Sequence, residues 1–343
     1  MAIYGNSTGT LTQASLLHPE NLREIRQGLI GWPRRISSRY FYDDRGSELF
    51  REITELDEYY LTGCEFEILN SNARRIADHV LGRTEAGKAA GPTDARTISI
   101  LEAGPGDGSK AQIIAREFAS LSDSVSYGAI DISPEALSIA LLKISEDPGL
   151  PTYSVVGDTL HSLRDLTNQS TGRRLFLFLG SNIGNYTYDG AVQLLTVIRR
   201  ALEPGDFILI GFDLEKPAEV LIPAYSDSRG VTREFNLNLL RRMNRELGAN
   251  FDISAFEHEA HYNAEAGAMQ SFLVSQCQQR VTIEAMNLDL LFEQEEAIHT
   301  ENSHKFTLHG IERMAAESGF APVEHLSDLR KYFATSLWQV PVG

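Results

Sequence analysis

The central part of the chain alternates short apolar runs with segments whose apolar residues recur at helical spacing. Short apolar runs bounded by turn residues predict strands, and strands that alternate with helices predict a parallel, doubly wound sheet. The run at residues 175–179 is apolar at every position, which is typical of a central strand covered on both faces. The other predicted strands of this sheet are residues 97–103, 125–130, 153–156 and 207–211.

Helical patterns flank these strands. Helices are expected at residues 64–81 and 110–119, and Ser133 followed by Pro134 is a typical helix start because both residues suit its unpaired N–H groups. Residues 82–96 are rich in Gly, Ala, Pro and polar side chains. Such a composition predicts an exposed, mobile loop between the first helix and the first strand of the sheet.

The later part of the chain does not continue the alternation. Residues 217–298 are predicted to be mostly helical, because residues such as Phe235 and Met243 fall on one helix face. Near the C-terminus, residues 320–326 and 332–340 predict two strands joined by a short polar turn. An antiparallel pair that closes a parallel sheet suits a methyltransferase better than a dehydrogenase.

Length, charge and cysteine usage exclude several classes of protein. The 343 residues suggest roughly two domains. The formal net charge of −16 argues against a nucleic acid partner, since a polyanion would be repelled. The two cysteines, Cys64 and Cys277, cannot form a disulfide framework, so we expect a reduced, cytoplasmic setting. We see no signal peptide or membrane-spanning run, and expect a monomer that acts on a small molecule without a metal.

A glycine-rich turn, from Glu102 to Lys110, follows the first strand of the sheet and opens a helix. Its glycines, Gly104, Gly106 and Gly108, let the backbone pass close to a ligand and direct N–H groups toward it. Asp131 ends the next strand, where a carboxylate can accept two ribose hydroxyls. The Gly-x-Gly-x-Gly spacing differs from the dinucleotide fingerprint and favours S-adenosylmethionine. A glycine turn without a ligand and a dinucleotide oxidoreductase are the alternatives.

Two further strand ends carry polar residues, and the carboxyl ends of parallel strands line the ligand crevice of such sheets. Gly157 and Asp158 follow the third strand and would lie beside the adenine, although Gly-Asp is also common in plain turns. Asn185 offers both a donor and an acceptor, which suits a zwitterionic substrate. Equally, Asn182 and Asn185 could supply turn geometry alone, and both interpretations stay open.

Several stretches outside the cofactor turn match one family. They include residues 40–50 (YFYDDRGSELF), 178–185 (FLGSNIGN), 256–258 (FEH) and 301–306 (ENSHKF). On these stretches the chain resembles the histidine-specific, S-adenosylmethionine-dependent methyltransferases of ergothioneine biosynthesis. Members of that family convert L-histidine to its Nα-trimethyl betaine, hercynine. The resemblance extends over about residues 22–340.

The resemblance implies a fold and two domains with different ligands. A Rossmann-like class I methyltransferase sheet, at residues 64–215 plus 306–343, would bind S-adenosylmethionine. A second, substrate-binding domain, at residues 11–63 plus 216–305, would hold the amino acid over the methyl donor.

The resemblance also assigns site residues by position. Those expected at the imidazole are Tyr59, Glu301 and Ser303. Those expected at the carboxylate are Asn185 and Tyr225. Those expected near the reacting amine are Tyr42 and the backbone of Gly180. Tyr42 and Asn185 are the expected catalytic residues. Those expected at the cofactor are Glu102, Gly104, Lys110, Asp131, Gly157 and Asp158.

Two residues depart from the family pattern. Ser271 stands where the family often has a methionine against the substrate ring, and Asn182 stands where a threonine is common. Ser271 would widen or polarise the substrate pocket. Methylation of another amino acid or an aromatic amine is therefore an alternative to histidine, and a cofactor-binding regulator without turnover is a non-enzymatic one.

Overall fold

The computed structural model describes residues 15–83 and 97–342. The predicted loop at residues 82–96 lies outside the described residues from position 84 onward, as do residues 11–14 of the predicted substrate domain.

Helices and strands alternate through the middle of the described chain. The helices are α1 (Pro19–Ile30), α2 (Asp44–Thr54), α3 (Tyr60–Leu81), α4 (Ser109–Leu121), α5 (Pro134–Glu146), α6 (Thr159–Gln169), α7 (Tyr188–Ala201), α8 (Ala218–Tyr225), α9 (Val231–Leu247) and α10 (Leu308–Glu317). The strands are β1 (Arg34–Arg35), β2 (Thr97–Ala103), β3 (Ser124–Asp131), β4 (Thr152–Val156), β5 (Arg173–Phe178), β6 (Phe207–Asp213), β7 (Phe256–Asn263), β8 (Ala268–Ser275), β9 (Gln279–Ile283), β10 (Leu288–Phe292), β11 (Ala297–His304), β12 (Ala321–Ser327) and β13 (Phe333–Gln339).

The largest sheet among the described residues has seven strands in the order β12-β13-β6-β5-β2-β3-β4. Neighbouring strands from β6 to β4 are parallel, whereas β13 runs antiparallel to both β6 and β12. The predicted parallel sheet and its antiparallel C-terminal pair are thus confirmed. This arrangement is the Rossmann-like sheet of class I methyltransferases.

Two apolar cores cover the two faces of this sheet. In β5, Leu175 and Leu177 belong to the core that includes α3 and α4, whereas Phe176 and Phe178 belong to the core that includes α6, α7 and α10. Successive side chains of a strand point to opposite faces, so a strand between two cores must be apolar at every position. The prediction for residues 175–179 is confirmed for this reason.

The predicted helices also form. The helix expected at residues 64–81 begins earlier, at Tyr60, and the one expected at 110–119 spans Ser109–Leu121. At the start of α5 the Ser133 hydroxyl accepts a hydrogen bond from the Ala136 N–H, at 3.2 Å, with Pro134 in the first turn. The helix therefore starts as its sequence predicts.

The prediction of a mostly helical segment at residues 217–298 is wrong beyond α9. Helices α8 and α9 do form, but β7 to β10 and the first residues of β11 follow in place of further helices. Strand β9 shows the reason, because its buried residues Val281 and Ile283 alternate with more exposed ones. An alternation of period two is a strand pattern, and the helical period of α9 does not extend into it. Strands β1, β11, β8 and β7 form a second sheet in that order, and β10 pairs with β9.

Packing divides the chain into two compact units. The first unit runs to Arg51 and adds Gly230–Glu259 and Ser271–Glu301; the second is Glu52–Arg229, Ala260–Gln270 and the chain from Asn302 onward. The assignment of cofactor binding to residues 64–215 plus 306–343, and of substrate binding to residues 11–63 plus 216–305, stays a prediction.

No described helix is long and apolar enough to cross a membrane.

Candidate active site

The glycine-rich turn lies in the second unit, between the end of β2 and the start of α4. Gly104, Gly106 and Gly108 have φ values of +66°, +56° and +76°. Residues other than glycine rarely adopt these left-handed backbone angles, because their Cβ atom clashes with the backbone. At Gly108 a Cβ atom would also lie 2.9 Å from the backbone Cα of Ala140, whereas nothing lies within 4 Å of a Cβ at Gly106. The turn therefore needs glycine for its backbone and, at Gly108, also for close packing on α5.

Hydrogen bonds bring this turn together with the ends of the next two strands. The Gly104 N–H donates to the Ile130 carbonyl and the Gly157 N–H donates to the Asp131 carbonyl, each at 2.9 Å. The Asp131 carboxylate accepts the Ser133 N–H at 2.8 Å. Burial raises the pKa of Asp131, although backbone hydrogen bonds oppose the shift. Three residues predicted at the cofactor, Gly104, Asp131 and Gly157, thus meet at one end of the sheet.

Asp158, also predicted at the cofactor, caps α6. Its carboxylate accepts the Leu160 N–H at 2.9 Å and lies 3.1 Å from Nδ1 of His161. Aspartate is a favoured N-cap residue because it pairs with an N–H group that the helix leaves unbonded. Gly157 and Asp158 therefore lie in the turn before α6, with Asp158 as the N-cap. A contact between these residues and adenine stays a prediction.

Glu102 is a buried carboxyl group in β2, just before the glycine turn. It accepts a hydrogen bond from the Tyr127 hydroxyl of β3. Burial raises the pKa of Glu102 to about 7, while the Tyr127 hydrogen bond and the charge of Lys110 act in the opposite direction. Removing a carboxylate from water disfavours its charged form, and here the opposing interactions offset only part of that cost.

Lys110 forms an ion pair that the sequence did not predict. Its Nζ lies 2.6 Å from Oε2 of Glu65, whose side chain is fully buried in α3. The same carboxylate accepts the Gly180 N–H, at 2.9 Å from Oε2 and 3.1 Å from Oε1. A Cβ at Gly211 would lie 2.3 Å from Glu65 Oε1, so a glycine there leaves room for the carboxylate. Glu65 therefore links two predicted site residues, Lys110 and Gly180.

The chain turns sharply after β5. Gly180 and Ser181 both have positive φ values, +78° and +57°, and a 3₁₀ turn then spans Asn182–Asn185. The Ser181 hydroxyl accepts the Asp213 N–H at 3.0 Å, which ties the turn to the end of β6. A Cβ at Gly104 would be 3.6 Å from Nδ2 of Asn182, so the turn approaches the glycine loop. Asn185 is half-buried at the end of this turn.

Two residues predicted at different ends of the substrate contact each other. The hydroxyls of Tyr225, at the end of α8, and Ser303, in β11, are 2.7 Å apart. Nζ of Lys305 donates to both, at 2.8 Å in each case, and lies 4.6 Å from the centroid of the Tyr225 ring. Tyr225 and Ser303 are thus held by a buried ammonium group that sequence reasoning missed.

Lys305 belongs to a larger buried network in the second unit. Its Nζ lies 2.7 Å from Oδ2 of Asp213, the last residue of β6. Asp213 also contacts the ammonium of Lys216, and its two oxygens accept the Tyr60 hydroxyl at 2.8 and 2.9 Å. Tyr59 precedes Tyr60 and packs, half-buried, against the neighbouring apolar core. The predicted residues Tyr59, Tyr225 and Ser303 therefore adjoin a polar network centred on Asp213.

The remaining predicted residues lie in the first unit. The Tyr42 ring packs edge-on against Phe50 and Phe235, with centroids 5.6 and 5.8 Å away. Ser271 is buried in β8, and its carbonyl accepts the Thr300 hydroxyl at 3.1 Å. Glu301 follows Thr300 in β11 and is half-buried. Glu301 and Ser303 both lie in the extended strand β11, and side chains two residues apart on a strand share a face.

The glycine turn and its neighbours fit S-adenosylmethionine. Left-handed glycines keep Cβ atoms away from the end of β2, and Asp131 stands at the end of the adjacent strand, where a ribose can meet a carboxylate. Together with the seven-stranded sheet and its antiparallel C-terminal pair, these features define a class I S-adenosylmethionine-dependent methyltransferase.

Comparisons with known proteins narrow this class. The model of the family described as "Histidine-specific methyltransferase, SAM-dependent" matches residues 21–340, and the chain belongs to this family of amino-acid N-methyltransferases. The chain is 33% identical over 316 residues to histidine N-alpha-methyltransferase of Mycobacterium tuberculosis, covering 92% of this chain and 93% of that protein. It is 34% identical, with the same coverage, to the protein of that name from Mycolicibacterium smegmatis. It is also 24% identical over 308 residues to an L-tryptophan methyltransferase of Psilocybe serbica, covering 82% of each chain.

Proposed function

We propose that the protein is an L-histidine Nα-methyltransferase that adds three methyl groups in one pocket and forms hercynine for ergothioneine biosynthesis. Its similarity to the two histidine methyltransferases over 92% of the chain supports this proposal. The observation that carries it is the polar set at the end of β11: Glu301 and Ser303 lie two residues apart on that strand, and the Ser303 hydroxyl is 2.7 Å from that of Tyr225.

Each end of the amino acid would have its own partners. The imidazole would meet Tyr59, Glu301 and Ser303. The carboxylate would meet Asn185 and Tyr225. The amine would lie near Tyr42 and the Gly180 backbone. The cofactor would be held by Glu102, Gly104, Lys110, Asp131, Gly157 and Asp158.

Positioning supplies most of the catalysis in this proposal. When bound, S-adenosylmethionine provides a methyl group activated by the sulfonium charge. Tyr42, near the amine, and Asn185, at the carboxylate, would together hold the neutral acceptor amine facing that methyl group; the demethylated thioether would leave, and each transfer would release one proton to water. Aligning two reactants in this way can lower a barrier by on the order of 7–11 kcal/mol at best. No strong general base is needed.

Glu301 would set the preference for histidine. Its carboxylate favours an imidazole N–H, because an apolar side chain in the same place would displace water from the carboxylate and give no hydrogen bond in return. Aromatic faces near the product would also favour the trimethylammonium group through cation–π attraction.

Ser271 supports a second candidate, methylation of another amino acid or an aromatic amine. The residue is 2% exposed. The resemblance places this small polar side chain where the family often has a methionine against the substrate ring. Similarity to an L-tryptophan methyltransferase shows that an enzyme related to this chain acts on an amino acid other than histidine. A cofactor-binding protein without turnover is a third candidate, which calorimetry would favour if the cofactor bound and no amino acid did.

A screen of the twenty amino acids with methyl-labelled S-adenosylmethionine separates these candidates. We expect histidine to incorporate the most label. A better acceptor than histidine would support the second candidate, and an absence of label in histidine would refute the proposed activity.

A Glu301→Ala variant tests the origin of the preference. We expect kcat/KM for histidine to fall by about ten- to a hundredfold, because a charge-assisted hydrogen bond contributes roughly 1.5–3 kcal/mol. The cofactor dissociation constant, measured by calorimetry, should stay within about twofold of the wild type, since Glu301 is assigned to the ring. Equal losses of histidine and cofactor binding would count against that assignment.

A further inference from the structure

We propose that Lys305 is a positioning residue that provides positive charge for the carboxylate of the acceptor amino acid. The proposal rests on the amino-acid methyltransferase function above, but not on histidine being the acceptor. It adds a cation to a carboxylate site that the sequence assigns only to the neutral side chains of Asn185 and Tyr225.

The ammonium group of Lys305 has three oxygen partners. Nζ lies 2.7 Å from Asp213 Oδ2 and 2.8 Å from each hydroxyl oxygen of Tyr225 and Ser303. The Lys305 side chain is fully buried. An ammonium has three protons, so these three acceptors satisfy it completely. The lysine is therefore fixed in one position behind the two hydroxyl groups.

The network around Lys305 contains more positive than negative charge. The Asp213 carboxylate forms ion pairs with both Lys305 and Lys216. Among the described residues, neither lysine forms an ion pair with another carboxylate. Tyr60, which donates to Asp213, is neutral, and burial raises its pKa further. Burial is also the main cause that lowers the pKa of Lys216, and the charge of Lys305 adds to it. One carboxylate thus faces two buried ammonium groups, and a nearby anion would offset the excess.

Tyr225 and Ser303 can transmit this charge. Both hydroxyl oxygens accept a hydrogen bond from Lys305 and lie 2.7 Å apart, so one hydroxyl donates to the other and the pair has one proton left to donate to a further acceptor. A cation behind a hydroxyl polarises it and strengthens it as a donor, especially in a buried setting. A carboxylate oxygen is the acceptor that fits such a donor, and the acceptor amino acid brings one. Lys305 would then act through Tyr225 and Ser303 rather than by direct contact.

A matched pair of lysine variants tests this role. Lys305→Met removes the ammonium that contacts Tyr225 and Ser303, whereas Lys216→Met removes the other ammonium of Asp213 and leaves those two contacts in place. The acceptor is the best amino acid from the screen, compared with its carboxamide, which lacks the negative charge. KM is measured for both, and the cofactor dissociation constant is measured by calorimetry.

We expect the wild type to prefer the acid over the amide, and Lys216→Met to keep part of that preference because Lys305 still contacts Tyr225 and Ser303. In Lys305→Met the KM of the acid should rise on the order of tenfold or more, while that of the amide changes by less than about twofold. Cofactor binding should not change. Equal effects on acid and amide, or equal effects of the two lysine variants, would overturn the proposal in favour of a purely structural role.

Lys305→Gln covers the case in which Lys305→Met does not fold, because it keeps a hydrogen-bond donor for Asp213 and removes only the charge. Lys305→Gln should also lose the preference for the acid over the amide. If this variant preferred the acid as strongly as the wild type does, the proposal would be overturned. An acceptor other than histidine would overturn the proposed function and leave this comparison intact.

Discussion

Glu102 and Asp213 are two buried carboxyl groups of the same unit with opposite surroundings. Glu102, in β2, has the Tyr127 hydroxyl as its hydrogen-bond partner, while the nearby Lys110 pairs with Glu65. Asp213, at the end of β6, contacts two ammonium groups and a tyrosine hydroxyl. Burial raises the pKa of Glu102 to about 7. Glu102 thus has too little positive charge around it, and Asp213 has more than it can neutralise.

The signs of these two imbalances suit the two ligands of the proposed reaction. S-adenosylmethionine is cationic at sulfur, and Glu102 adjoins the turn assigned to it. The acceptor amino acid has an anionic carboxylate, and the network of Asp213 includes Tyr225, which is assigned to that carboxylate. Buried groups whose charges are not balanced within the protein are a common feature of functional sites. The comparison predicts that the same carboxyl-to-amide change has opposite effects at the two positions.

The largest effect is expected for Asp213→Asn. The amide keeps the shape of the side chain but leaves Lys216 and Lys305 without their carboxylate. Removing one partner of a buried ion pair typically lowers the free energy of unfolding by about 3–5 kcal/mol, and we expect a loss in this range in urea titrations.

Adding Lys305→Met to Asp213→Asn should restore part of that loss, because one of the two unpaired charges is then gone. A loss below about 1 kcal/mol in the single variant, or a double variant less stable than the single one, would contradict this description of the network.

A smaller, pH-dependent effect is expected for Glu102→Gln. The raised pKa means that the folded protein binds a proton more tightly than the unfolded chain does. The wild type should therefore lose stability as the pH rises from the ordinary value of 4.5 toward about 7, and the glutamine variant should not show this loss. Between pH 5 and pH 8 the variant should gain roughly 2–3 kcal/mol relative to the wild type.

Urea titrations of the cofactor-free proteins at both pH values measure this gain. Since glutamine can still accept the Tyr127 hydroxyl, the hydrogen bond itself is not under test. A constant difference between the two proteins across the pH range would show that Glu102 does not titrate as described.

Much of the fold could be predicted because its signals are local. The fully apolar β5, the Ser133-Pro134 helix start and the glycine turn each depend on residues close together in the sequence. The strands from β7 to β10 were missed because half of their positions are polar and they follow the strongly helical α9. A helical period in one segment gave no information about the segments after it.

The site shows the same limit. Gly104, Asp131 and Gly157 could be predicted because each stands at the carboxyl end of a strand, and the topology brings such ends together. Glu65 and Lys305 gave no local signal, because the partner of each is distant in the sequence. Glu65 pairs with Lys110, and Lys305 pairs with Asp213. Burial of the charges, which is what gives these pairs their energetic importance, is visible only in the folded chain.

The measurement that tests the proposed function most directly is a competition between histidine and tryptophan. The protein is incubated with equal concentrations of both amino acids and an excess of S-adenosylmethionine, and the products are identified by mass spectrometry. We predict trimethylated histidine as the main product, with tryptophan methylated little or not at all. Methylated tryptophan as the main product, or no methylated histidine, would contradict the proposed function.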